Sequence, residues 1–147
     1  DFVTFTEKIN DKKYIINYIR SYLLLFLLIS ILLIIVSYFF GSFILRLLDA
    51  GFAEYHATFF IMIVGICGIF IFRGLFGNLL SAIGKADVNY YIALIALFLN
   101  LISNYYLIPE LGIKGAAITS AVLMWFTGIS SCIWFLCLYK KLLLKKS

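Results

Sequence analysis

Arg73 stands in the second half of an apolar run that extends over 57–83. A guanidinium near the bilayer centre costs roughly 2.5–3.5 kcal/mol on insertion scales, so such residues face a bundle interior or a water-filled cavity. At about 100° per residue, Gly74, Gly77, Asn78 and Ser81 lie within about 140° of Arg73, a small and polar side of the helix. The guanidinium fork suits two oxygens of one anionic group, such as a phosphate. The other reading is a side chain that snorkels to the nearer interface or pairs with a carboxylate outside this chain. A second polar face carries Ala93, Ala96, Asn100, Ser103 and Asn104, with the two asparagines one turn apart. Carboxamides in hydrocarbon need partners, so they either bond between helices or line a hydrophilic cavity. Arg73, Asn78, Asn100 and Asn104 are therefore the candidate substrate-cavity residues.

Other chemistry finds no foothold. All seven acids (Asp1, Glu7, Asp11, Asp49, Glu54, Asp87 and Glu110) lie outside the apolar runs, and the lone His56 falls in a loop. No nucleophile has a base beside it, which argues against an enzyme. Asp49, Glu54 and His56 share no recognised ligand spacing, so no metal site is expected. There is no P-loop pattern and no cofactor is expected. Cys67, Cys132 and Cys137 lie in apolar segments without a CxxC pair and are read as small hydrophobes.

The elements that must position these residues follow from hydropathy. The chain has 147 residues, 65% of them hydrophobic and 13% charged, with a mean hydropathy of +1.10. Soluble domains run about 45–50% apolar and about 25% charged, so the class is an all-α membrane protein. Four stretches approach or exceed the ~20 residues that cross a hydrocarbon core: 21–45, 57–83, 88–108 and 115–138. Residues 1–20 predict an amphipathic cytoplasmic or interfacial lead-in, with Asn10 or Asp11 as its cap. Residues 139–147 form a basic tail. In the first span Ser30, Ser37 and Gly41 make a narrow contact line for a neighbouring helix. Ala117 and Ala121 do the same in the fourth. Gly84 opens a tight turn after the second span. Pro109, the only proline, predicts the end of the third, because its ring removes a donor and clashes with the preceding turn. Gly112 and Gly115 then allow a reversal.

The net charge of +5 is better explained by topology than by nucleic acid. Nine basic residues (Lys8, Lys12, Lys13, Arg20, Lys85, Lys140, Lys141, Lys145 and Lys146) fall on the side of the chain ends, against Arg46 and Lys114 on the other. That bias predicts cytoplasmic ends and an external Pro109 turn. The chain opens on Asp1 with no charged n-region or cleavage site, and so reads as part of a longer protein.

The order of turns and helices carries a resemblance. Asn78-Leu79-Leu80-Ser81-Ala82-Ile83-Gly84-Lys85, a helix ending in Asn100-Leu101-Ile102-Ser103-Asn104, and Leu107-Ile108-Pro109-Glu110-Leu111-Gly112-Ile113-Lys114-Gly115-Ala116-Ala117-Ile118-Thr119 resemble the C-terminal region of polysaccharide-biosynthesis flippases. These are the O-antigen, capsule and exopolysaccharide transporters of the multidrug/oligosaccharidyl-lipid/polysaccharide exporter superfamily. The motif-bearing part covers about a third of the chain. The resemblance implies four helices of one lobe in a 12–14-helix bundle of the bacterial cytoplasmic membrane, completed by N-terminal helices outside this chain. It further implies outward transfer of an undecaprenyl-pyrophosphate-linked oligosaccharide by alternating access. A peptidoglycan lipid precursor flippase or a drug/cation antiporter of the same superfamily is the near alternative. A small four-helix scaffold or accessory protein is the alternative of another class.

Overall fold

The computed structural model describes residues 11–144 as four long helices. We label them α1 (Lys12–Leu48), α2 (Ala50–Ala82), α3 (Ala86–Leu111) and α4 (Ile113–Leu144). Each is long and apolar enough to cross a membrane, so the chain is built as a multi-pass membrane protein would be. Residues 1–10 of the expected lead-in and 145–147 of the expected tail lie outside the described residues.

α1 starts well before the apolar run. Asp11 caps it, its Oδ1 accepting from the backbone N–H groups of Lys13 (3.0 Å) and Tyr14 (3.2 Å), and lead-in residues from Lys12 onward continue into the span without a break. At 37 residues the helix is about 56 Å long, well beyond the ~30 Å of hydrocarbon. Its polar first turns therefore extend past the apolar layer. Leu24, Leu28, Leu32, Phe39 and Phe43 are exposed along its outer side, as a lipid-facing surface requires. The Ser30–Ser37–Gly41 line is buried and meets α2. Cys67 Sγ donates to the Ser30 carbonyl at 3.8 Å, and the His56 ring lies over Gly41 with Nε2 3.2 Å from the Ser37 carbonyl. His56 thus begins the α-helical part of α2, half-buried, and is not a loop residue.

α2 and α4 form the central pair, with α1 packed on α2 and α3 on α4 and the last turns of α2. Small residues bring the central helices together. A Cβ on Gly65 would stand 2.7 Å from the Ala121 Cα, and one on Gly68 would stand 2.9 Å from the Trp125 ring. Trp125 Nε1 donates to the Val64 carbonyl at 2.9 Å. Ile15, Leu75, Phe76, Leu79, Leu80, Val88, Ile92 and Phe135 make a buried apolar cluster. That cluster ties the start of α1 and the later part of α4 to the α2–α3 turn, so these segments lie at the same end of the bundle as Gly84.

The third helix does not end at Ile108 as Pro109 alone predicts. It runs through Pro109 to Leu111. In the last turn a proline forfeits one backbone bond, while the Ile108 carbonyl still accepts from the Gly112 N–H at 2.8 Å. The break falls at Gly112, whose φ of 59° and ψ of −136° suit glycine alone. α4 starts at once, and Gly115 lets the Leu107 carbonyl approach to 2.5 Å from where a Cβ would stand. Ala117 is buried two residues later. The α2–α3 turn uses the same device at Gly84, with φ of 73°.

Candidate functional site

Arg73 closes a five-residue π turn, Ile69–Arg73, set into α2. Such wide turns add one residue to the helix and often mark functional positions. On an uninterrupted α-helix Arg73 would lie about 80° round from Gly65, and one inserted residue turns it back by about 100°. The turn therefore swings Arg73 onto the line of Gly65 and Gly68, which faces α4.

The side chain passes over Gly77 toward the α2–α3 turn, its Cδ and Nε each 4.0 Å from a Cβ placed there. Nη1 donates to Asn89 Oδ1 at 3.0 Å and to Ser131 Oγ at 2.6 Å, and Nη2 donates to the Asn89 carbonyl at 3.4 Å. One arginine thus joins α2, α3 and α4. Its partners are themselves held. Asn89 Nδ2 donates to the Gly77 carbonyl (2.8 Å) and to Ser81 Oγ (3.3 Å). Ser81 Oγ donates to the Gly77 carbonyl at 3.1 Å, and Ser131 Oγ to the Thr127 carbonyl at 2.8 Å. These contacts fix the Asn89 amide with its oxygen toward the guanidinium.

A guanidinium has five N–H donors, and three are used. Nε–H and one Nη2–H remain. All three acceptors are neutral, and among the described residues no carboxylate pairs with Arg73. Among the described residues the arrangement is a positioned cation with two unspent donors and no carboxylate partner, a geometry that suits an oxyanion.

The other predicted residues separate. Asn78 is exposed on α2 and takes no part in the Arg73 network, because residues five apart on a helix diverge by about 140°. Asn100 and Asn104 sit farther along α3. Asn104 Nδ2 donates to Asn100 Oδ1 at 2.8 Å, a bond within one helix and not between two. Asn104 Oδ1 is buried without a partner. Asn100 borders an open, mostly apolar groove of about 370 Å³ between α3 and α4, lined also by Ala93, Ala96, Leu97, Ser120, Leu123, Met124 and Thr127.

Two residues of the Arg73 network carry a signal in the sequence. Asn89 precedes Ala93, Ala96 and Asn100 by 4, 7 and 11 residues, the spacing of one helical face. Ser131 and Thr127 stand 11 and 7 residues after Ser120. In antiparallel helices these two stripes run side by side for about 17 Å, from the Arg73 network at one end to Asn100 and Ser120 at the other.

No family profile matches the chain, and no solved structure matches it significantly. Its sequence is similar to the capsular polysaccharide biosynthesis protein CapF of Staphylococcus aureus, with 41% identity over 91 residues. The match takes in 60% of this chain and 22% of that protein. A four-helix membrane-type chain with one arginine bridging three helices is thus similar to a section, about a fifth, of a curated capsular polysaccharide biosynthesis protein.

Proposed function

We propose that this chain is a section of a multi-pass transporter for polysaccharide biosynthesis. It would move a lipid-linked oligosaccharide across the bacterial cytoplasmic membrane by alternating access. The observation that carries the reading is Arg73: a cation within an apolar span, held by neutral oxygens, with two donors unspent. A phosphate or pyrophosphate linking lipid to sugar offers the complementary charge and two oxygens for the fork. The similarity to CapF, a protein named for capsular polysaccharide biosynthesis, supports a glycan cargo over a drug. The open, largely apolar groove along α3 and α4, with Asn100, Ser120 and Thr127 as its polar residues, offers hydrogen-bonding side chains to a hydroxylated cargo. Transport of this kind needs no bond made or broken by the protein, and so no cofactor.

The test is Arg73→Ala in the intact protein, in a strain whose own glycan flippase has been deleted. Export of surface polysaccharide should fall while the amount of protein in the membrane stays near normal. Unchanged export would remove Arg73 from the substrate path and with it this reading.

A further inference from the structure

An arginine at membrane depth can be held in two ways. A carboxylate partner gives the stronger bond and cancels the charge; a carboxamide or hydroxyl gives a weaker bond and leaves the charge intact. Arg73 is held the second way, and Asn89 does most of it, accepting two of the three bonds through its side-chain and backbone oxygens. The Asn89 amide is locked in turn by Gly77 and Ser81 of α2. Asn89 therefore orients the fork without neutralising it, and it stands on α3, whereas Arg73 belongs to α2.

We propose that Asn89 is the positioning residue of an oxyanion site on Arg73, and that its neutrality is what keeps the cation available to a phosphate or pyrophosphate group. The proposal rests on the reading of Arg73 as an anion contact given above. The same oxyanion chemistry could come from the pyrophosphate of a lipid-linked substrate or from an anionic lipid headgroup.

Asn89→Asp separates this role from a structural one. The aspartate loses the Nδ2 bond to the Gly77 carbonyl, but its bond to Arg73 becomes charge-assisted and the Ser81 hydroxyl can turn to donate to it, so a merely structural tie between α2 and α3 would be kept. An oxyanion site would be neutralised. The intact purified protein is placed in phosphatidylcholine nanodiscs and titrated with a short-chain polyprenyl pyrophosphate. In a second arm, melting is compared between phosphatidylcholine and phosphatidylglycerol nanodiscs without that compound.

Asn89→Asp should lose at least about tenfold in anion affinity with its melting temperature retained. Asn89→Ala should weaken binding less, because the charge remains. Ser81→Asp, at an exposed position, adds a negative charge beside the network without touching Arg73's bonds and should also weaken binding; it decides the matter if Asn89→Asp does not fold. Loss confined to the polyprenyl arm identifies a substrate site, and loss of the phosphatidylglycerol stabilisation identifies a headgroup site; either supports the proposal. Wild-type affinity in both aspartate variants, or no response of the wild type in either arm, overturns it. If Arg73→Ala abolishes binding while both aspartate variants bind normally, the positioning role of Asn89 falls and the reading of Arg73 stands. If Arg73→Ala itself binds and exports normally, the reading of Arg73 falls.

Discussion

Gly128 couples helix packing to the Arg73 network, and Gly128→Ala measures the coupling. A Cβ at this position would stand 2.9 Å from Phe72 Cβ, 3.0 Å from the Gly68 carbonyl oxygen and 3.4 Å from the Arg73 backbone nitrogen. Carbon atoms settle at about 3.5–4.0 Å, so α2 must retreat from α4 by roughly 0.8 Å at this level. Ser131 is three residues further along α4, and its Oγ accepts from Arg73 Nη1 at 2.6 Å. The same retreat would stretch that bond to about 3.4 Å, outside the usual 2.7–3.2 Å range. Overpacking costs about 1–3 kcal/mol and a bond to a charged group is worth about 1.5–3 kcal/mol. Because part of the strain is relieved by breaking the bond, the expected total is about 2–4 kcal/mol. The assay is thermal melting of the intact protein in detergent, with Gly51→Ala as control, since a Cβ there meets only Asp49 Oδ1 at 3.4 Å. Ser131→Ala should destabilise the wild type more than it destabilises Gly128→Ala, because in the latter the bond is already lost. A Gly128→Ala variant that melts with the wild type, or an equal cost of Ser131→Ala on both backgrounds, would show that helix packing and the Arg73 bond are not coupled.

Two other positions test separate parts of the fold. Gly112 has a positive φ and nothing within 4 Å of where a methyl group would stand, so Gly112→Ala should cost about 1–3 kcal/mol through backbone strain alone; Gly115→Ala, whose Cβ would meet the Leu107 carbonyl at 2.5 Å, should cost more, and melting checks both. In intact cells a cysteine at Leu111 should react with a membrane-impermeant maleimide and one at Ala86 should not. Both positions are exposed, so the opposite pattern would reverse the orientation drawn from the basic residues.

Individual residues show how far a linear pattern reaches. Asp11 is legible as a cap because capping is a local bond between a side chain and the backbone two and three residues on. Ser30, Ser37 and Gly41 are legible as a contact line because their spacing places them on one face of one helix, and the structure buries all three. Pro109 misleads by three residues: it forfeits only its own backbone bond, while the Ile108 carbonyl still accepts from Gly112, so the helix continues to Leu111. Asn78 falls outside the Arg73 network because an offset of about 140° is too wide for one face, and it turns Asn78 to the exposed surface of α2. Asn89 is visible in the periodicity of α3 but cannot be joined to Arg73 by pattern, because the two stand on different helices.

Four apolar stretches long enough to cross a membrane, the asymmetry of basic residues and an arginine needing a partner were all readable in the linear chain. Those properties are sums over side chains or patterns within one helix, and folding does not alter them. The order α1–α2–α4–α3 across the bundle, the π turn that swings Arg73 toward α4, and the neutral identity of its partners emerge from the packing of the helices. These depend on how closely two helices cross and on one inserted residue, and hydropathy is blind to both. A crossing set by Gly65, Gly68 and Gly128 leaves the cation bound by oxygens that hold it in place without cancelling its charge.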